Sequence, residues 1–163
     1  MIRALIRTME QWWGMLLWIA LPVFAWLSPL LVGGRMIGGE PAWYHVPLYV
    51  FYHDAITRGD SFLWNPLNFS GYPSFVSVVG FFSPVHYLAV SFFAVVPAFH
   101  WLMFIDFTLA ALFTALLLRN LGVSALGAYI AWLAYVLPNI VYTNALTMAN
   151  AVLFMPLLLW AIH

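Results

Sequence analysis

The sequence predicts an all-α, polytopic membrane protein, and three observations carry that prediction. Hydrophobic residues make up 66% of the 163 positions and charged residues 6%, far below the roughly 25% charged of a soluble domain. The apolar residues gather into runs of helix length. Polar chemistry is concentrated in one stretch, Gly39 to Pro73, which holds Glu40, Asp54 and Asp60, three of the five acids. Lipid is therefore the natural solvent for most of the chain, and the polar stretch belongs at a membrane surface. Five arginines balance the five acids and there is no lysine. No basic run exists to neutralise a row of phosphates, so nucleic acid is not an expected partner. With no cysteine, disulfides, thiolate zinc sites and cysteine nucleophiles are excluded.

The elements follow in order. Trp12 to Val32 is the first span, because a hydrocarbon core of about 30 Å takes roughly 20 helical residues. Arg3 and Arg7 precede it. The run is too long for a secretory signal, and Trp26, Ser28 and Pro29 make no small-residue cleavage site, so it reads as uncleaved. Trp12, Trp13 and Trp18 form an interfacial belt at its entry, and Pro22 and Pro29 kink it. Residues 33–99 are expected to form an outer-face loop carrying juxtamembrane helices. Within it the apolar run from Phe75 to Phe99 is broken by Gly80, Ser83-Pro84, His86 and Pro97, and should lie along or dip into the surface. Trp101 to Leu118 and Val123 to Tyr142 are further spans, joined by a turn carrying Arg119. A last run, residues 148–163, reaches His163 with no cap or polar tail, so the chain reads as the front of a longer protein. Charge counting ties. With every run spanning and the N-terminus outside, Arg35, Arg58 and Arg119 are cytoplasmic; with the run from Phe75 to Phe99 not spanning and the N-terminus inside, Arg3, Arg7 and Arg119 are. The second is preferred, because the first helix usually dominates orientation and that run is broken.

Several polar residues could carry chemistry. Tyr44, His45, Tyr52 and His53 fall on a segment that, if helical, is aromatic around much of its circumference and suits an interface. His45 and His53 share a face, but no third ligand follows at a recognisable spacing, so no metal site is expected. Arg58 can hold a phosphate or anchor to lipid headgroups. The tripeptide Arg58-Gly59-Asp60 matches an adhesion motif by chance. Asp106 interrupts an apolar helix, where an acid costs about 2.5–3.5 kcal/mol at the membrane centre. It should face the bundle interior, as a polar site or in a hydrogen bond with Thr108 or Asn139.

A resemblance adds to this reading. Its pieces are Glu40, Tyr44 and Pro47 after the first span, the Gly59-x-x-x-x-Trp64-Asn65-Pro66 turn, Gly71-x-Pro73, and Leu118-Arg119-x-Leu121-Gly122. In this order and spacing, over nearly the whole chain, they resemble the amino-terminal part of the YfhO-type bacterial membrane proteins, within the wider group of GT-C glycosyltransferases. The resemblance implies a GT-C-like helical bundle in the cytoplasmic membrane of a bacterium. It implies an enzyme that moves a sugar from a polyprenyl-phosphate carrier to an envelope glycan acceptor on the outer face, with this stretch alone inactive. The lipid-linked sugar is a substrate, so no resident cofactor is implied. Glu40 takes the catalytic role, and Tyr44, His45, Arg58, Trp64 and Asn65 are the implied substrate contacts of the first outer loop. A second outer loop, Tyr142 to Asn150, supplies Asn144 and Asn150 where the family pattern carries a His-Pro-Asn-like element; here the chain departs from it. A non-catalytic membrane subunit, carrying lipid or assembling with partner helices, is the alternative.

An acid near Glu40 also has a reason independent of any family. Glycosyl transfer from a phosphate leaving group needs the acceptor hydroxyl deprotonated as it attacks, and a carboxylate within reach is the usual base. Glu40 follows Gly38-Gly39 and precedes Pro41, on a tight turn where backbone can approach a ligand. The competing reading is helix capping, since acids are common just before a proline at the first helical position.

Overall fold

A computed structural model describes residues 12–34, 41–67, 70–74, 84–142 and 149–162. The described chain is helical apart from one small ribbon. Helix α1 covers Trp12–Leu31. A π-helical turn, Pro41–His45, runs directly into α2, Val46–Arg58. Strands β1 (Trp64–Asn65) and β2 (Tyr72–Pro73) pair antiparallel. Helix α3 is Pro84–Phe92, α4 is Val95–Asn120, α5 is Ala125–Tyr142 and α6 is Ala149–Ile162.

Helix α4 is the hub, packing against α1, α2, α3, α5 and α6. Its composition explains why. Phe99, Leu102, Met103 and Phe107 fill the first half of its buried face, while Ala110, Ala111, Thr114 and Ala115 occupy the second. Small residues there let neighbouring backbones approach closely, the usual route to tight helix pairs between apolar helices. Helix α1 offers Ile19, Val23 and Leu27, one residue per turn, to this core. Its other faces carry Leu17, Leu21 and Trp26 out to the surroundings, so α1 is apolar all round. The edge-on contact of Phe24 with Phe104, and the cavity that Met15 and Ile19 share with Ala115 and Arg119, show that α1 and α4 run antiparallel.

Two helices, α1 over Gly14–Leu31 and α4, are long and apolar enough to cross a membrane. At about 1.5 Å per residue, α4 is some 39 Å long and covers a hydrocarbon core of about 30 Å with a turn to spare. It begins at Val95, six residues earlier than the Trp101 start read from the apolar run. Pro97 does not interrupt it. In the first turn of a helix an amide N–H has no partner to lose, so proline is tolerated there. The break that separates α3 from α4 lies at Phe93-Ala94, with Ala94 in an extended conformation (φ −59°, ψ 136°). Residues 84–99 are thus two pieces of different helices rather than one broken surface segment.

The turn after α4 accounts for the Leu118–Gly122 motif. Gly122 adopts φ 82° and its N–H caps the Arg119 carbonyl, ending the helix in the left-handed conformation that glycine takes most readily. The Arg119 guanidinium donates to the Val123 carbonyl at 3.3 Å. Ser124 then opens α5, its hydroxyl accepting from the Gly127 N–H at 3.2 Å.

Candidate functional site

An acid inside a long apolar helix needs a partner, and Asp106 has one. Its Oδ2 lies 3.1 Å from Nε2 of His86 on α3, and Nδ1 of His86 lies 2.8 Å from the Tyr49 hydroxyl on α2. The three form one buried chain that ties three helices together; Tyr49 is 0% exposed, His86 1% and Asp106 7%. The roles follow from what each group can offer. An ionised carboxylate only accepts, so His86 donates Nε2–H to Asp106 and takes the Tyr49 O–H proton bond at Nδ1. Burial pushes the Tyr49 phenol well above its ordinary range, with the Asp106 charge and then Tyr52 adding to the effect. Tyr49 is therefore a fixed hydrogen-bond donor and not a base.

One turn further along both helices a second link repeats the first. His53 donates Nδ1–H to the Val90 carbonyl at 2.6 Å. Tyr49 and His53 are one turn apart on α2, and their partners His86 and Val90 one turn apart on α3, so the two helices run side by side in the same direction. Aromatic packing surrounds the links. Tyr49 meets Phe99 edge-on at 5.7 Å, and Phe62 bridges Tyr52 and Tyr87 at 6.3 and 6.1 Å. Tyr52 donates to the Ser74 carbonyl at 3.3 Å, which anchors the ribbon beneath α2.

The residues expected from sequence fall into different surroundings. Glu40 and Asn144 lie outside the described residues, and so does the side chain of Asn150, whose backbone belongs to α6. Tyr44 is half-buried, with its ring against Trp43 and His45. His45 is fully buried, edge-on to Tyr44 at 5.2 Å, so it offers no surface to a ligand in this conformation. Arg58 is exposed and paired with Asp60 across 3.0 Å where α2 ends. That pair is a local device: Gly59 turns left-handed at φ 72°, its N–H capping Ile56, and the Asp60 N–H caps Ala55. An exposed pair of this kind contributes about 0–1 kcal/mol.

Trp64 and Asn65 turn out to build the ribbon. The Asn65 Oδ1 accepts the Leu67 N–H at 2.9 Å, a side-chain-made turn of the sort asparagine favours, and the residue is 1% exposed. Gly71, at φ 99°, presses against the Trp64 indole so closely that a Cβ would lie 2.8 Å from the ring. The Trp-Asn-Pro and Gly-x-Pro pieces are thus two halves of one turn-and-ribbon structure, Trp64 facing Pro73 and Asn65 facing Tyr72.

Asp106 does face the interior, and it pairs with His86 and not with Thr108; the side chain of Asn139 lies outside the described residues. The Thr108 hydroxyl is buried with no hydrogen-bond partner among the described residues. His86 was readable only as an interruption of an apolar run. The signal that could have singled it out is the need of a buried carboxylate for a donor, met here by one of the chain's five histidines. No group of three or more His, Asp or Glu side chains able to hold a metal occurs among the described residues. No protein-family model, curated protein or solved structure matches the chain.

Proposed function

We propose that this chain is the amino-terminal part of a membrane glycosyltransferase of GT-C type, transferring a sugar from a polyprenyl-phosphate carrier to an envelope acceptor on the outer face of a bacterial cytoplasmic membrane. The observation that carries the reading is the architecture between the two span-length helices. The described residues between Pro41 and Phe92 fold as short helices and a ribbon, and α2 and α3 are fastened to the first half of α4 through Tyr49, His86 and Asp106. With α1 and α4 antiparallel and each crossing once, Trp12 and Arg119 lie at the same side of the bilayer, and α2 and α3 pack along the opposite half of α4 down to the level of Asp106. Helix α3, at nine residues, is far too short to cross. An assembly set into one half of the bilayer, directly after the sequence Gly-Gly-Glu-Pro, suits a transferase acting at that face of the membrane.

The chemistry assigned to this assembly is simple in outline. The Glu40 carboxylate takes the proton of an acceptor hydroxyl as its oxygen bonds to the sugar's anomeric carbon. The bond from that carbon to the carrier phosphate breaks, and polyprenyl phosphate leaves with the electron pair. The buried Tyr49–His86–Asp106 chain touches none of the reacting groups; its part is to hold α2, and with it the segment after Pro41, in fixed register on α4.

Replacing Glu40 in the full-length protein tests the proposal. Glu40→Gln keeps size and hydrogen bonding but removes the base, so sugar transfer from the carrier lipid should fall by about 10² to 10⁴. Asp54→Asn, exposed on α2 and with no assigned chemistry, is the control and should leave the rate near wild type. Wild-type transfer by Glu40→Gln at matched membrane abundance would remove Glu40 from the mechanism.

A further inference from the structure

One end of the bundle holds a small cavity where three helices meet. Met15 and Trp18 of α1, Ala115 and Arg119 of α4, and Tyr129 and Trp132 of α5 enclose about 20 Å³, room for one oxygen-sized group. Trp132, on its wall, is 0% exposed, and its indole N–H is buried with no hydrogen-bond partner among the described residues. Buried donors are almost always paired, so this one calls for an acceptor. Edge-on contacts of Tyr129 with Trp18 at 5.8 Å and with Trp132 at 5.3 Å fix the rings around it. Arg119 differs from Trp132 in being exposed, one residue before the end of α4. Helical side chains lean toward the start of their helix, so Arg119 reaches back over the turn that carries Ala115. Its guanidinium gives one bond to the Val123 carbonyl, and no acid among the described residues pairs with it.

We propose that this cavity takes one oxygen of a phosphate group, and that the phosphate belongs to an anionic phospholipid headgroup. The wall selects an acceptor. The two indoles and the guanidinium only donate, the Tyr129 hydroxyl can donate, and no carboxylate or amide side chain is present. A water molecule gives the Trp132 N–H an acceptor but leaves the Arg119 charge uncompensated. A phosphate does both, with one oxygen inside and another against the guanidinium, whose fork matches it. The negative end of α4 opposes an anion here, and the positive start of α5 just across the turn offsets it. Position selects the source of the phosphate. Met15 is the second residue of the apolar stretch Gly14–Leu31 and Arg119 the last but one of α4, so the cavity lies where both span-length helices leave the hydrocarbon, at headgroup depth.

The inference rests on the membrane placement of α1 and α4 proposed above, and not on sugar transfer. The full chain, isotope-labelled at its indole nitrogens and held in dodecyl maltoside, is titrated with phosphatidylglycerol, with diacylglycerol of the same acyl chains, and with sodium phosphate. Indole N–H resonances are followed by NMR, and Trp132→Phe identifies that of Trp132. Phosphatidylglycerol should move it downfield and saturate, and diacylglycerol should not move it. Sodium phosphate, with no tails to hold it at the micelle, should need at least about tenfold more. Arg119→Gln, changed at an exposed position, should weaken the phosphatidylglycerol response about tenfold or more. Native mass spectrometry of phosphatidylglycerol retained by the unaltered chain and by Arg119→Gln should show the same loss, and needs no Trp132→Phe chain to fold. No movement with phosphatidylglycerol, or equal movement with diacylglycerol, overturns the proposal. Saturation by sodium phosphate at the same concentration overturns the lipid assignment. An upfield shift of Trp132 in Glu10→Gln without lipid gives the cavity to that carboxylate, the acid nearest Met15 in sequence, and overturns the proposal too. Each of these leaves the membrane reading intact. Release of the chain from membranes by an alkaline wash without detergent overturns that reading, and this proposal with it.

Discussion

The polar contact of greatest consequence at the residue scale is the one between His86 and Asp106, because it places a carboxylate with 9% side-chain exposure inside an apolar bundle. The two partners are not equivalent. Removing His86 leaves a buried charge with no donor, a loss of about 3–5 kcal/mol. Asp106→Asn keeps an oxygen to accept the Nε2–H and removes the charge, and should cost about 1–2 kcal/mol. Thermal unfolding in detergent should therefore rank His86→Ala well below Asp106→Asn; the reverse order would mean that Asp106 is uncharged in the fold. Tyr49 makes a second, pH-dependent prediction. Its phenol is raised by burial, so above about pH 10 the unfolded chain releases this proton while the folded chain keeps it. The unfolded state then binds fewer protons, and stability falls as pH rises, by up to about 1.4 kcal/mol per pH unit. Tyr49→Phe should flatten that part of the alkaline profile in an unfolding series from pH 9 to 11; an unchanged slope would show that Tyr49 ionises in the folded protein.

Elements in this protein begin and end where backbone geometry demands. The ribbon makes the clearest case. Gly71 needs both a left-handed φ of 99° and the absence of a Cβ against the Trp64 ring, whereas Gly122 needs only the first, having open space where a Cβ would be. Gly122→Ala should cost about 1 kcal/mol from backbone strain alone. Gly71→Ala adds a clash with the indole and should cost about 2–3 kcal/mol, with a shift of Trp64 fluorescence as the ring is displaced. Equal losses at the two positions would mean that the ribbon gives way freely around Trp64. Where α4 begins follows the same logic. A run of apolar residues carries no mark of a helix boundary, so Trp101 was as reasonable a start as Val95, and only the extended conformation of Ala94 separates α3 from α4.

For the whole molecule the decisive relation is the antiparallel pairing of α1 with α4, which puts Trp12 and Arg119 at one end of the pair and Leu31 and Val95 at the other, with α2 packed beside the first half of α4. The absence of cysteine makes this directly measurable, since each introduced thiol is unique. Ser61→Cys, exposed after α2, should react with an impermeant maleimide from outside intact cells, and Ser124→Cys only after the inner face is opened. Labelling of Ser61→Cys from the cytoplasmic side alone would overturn the orientation.

Composition, with 66% hydrophobic and 6% charged residues, is what the membrane reading was drawn from, and the structure adds a mainly helical chain with two helices long and apolar enough to cross a bilayer. Local sequence also determined the helices that begin at Trp12 and Ala125 and the turn between Arg119 and Ser124, since run length, a left-handed glycine and a serine cap act within a few residues of one another. The roles of Trp64 and Asn65 were half legible: the turn was visible, its partner strand eight residues on was not. The Tyr49–His86–Asp106 chain was decided by tertiary structure. Its members are 37 and 20 residues apart, on three helices whose mutual rotation depends on how every side chain between them packs. Hydropathy along the chain records which residues avoid water, but a buried carboxylate chooses its partner through the geometry of helix crossings, and that geometry exists only once the bundle has formed.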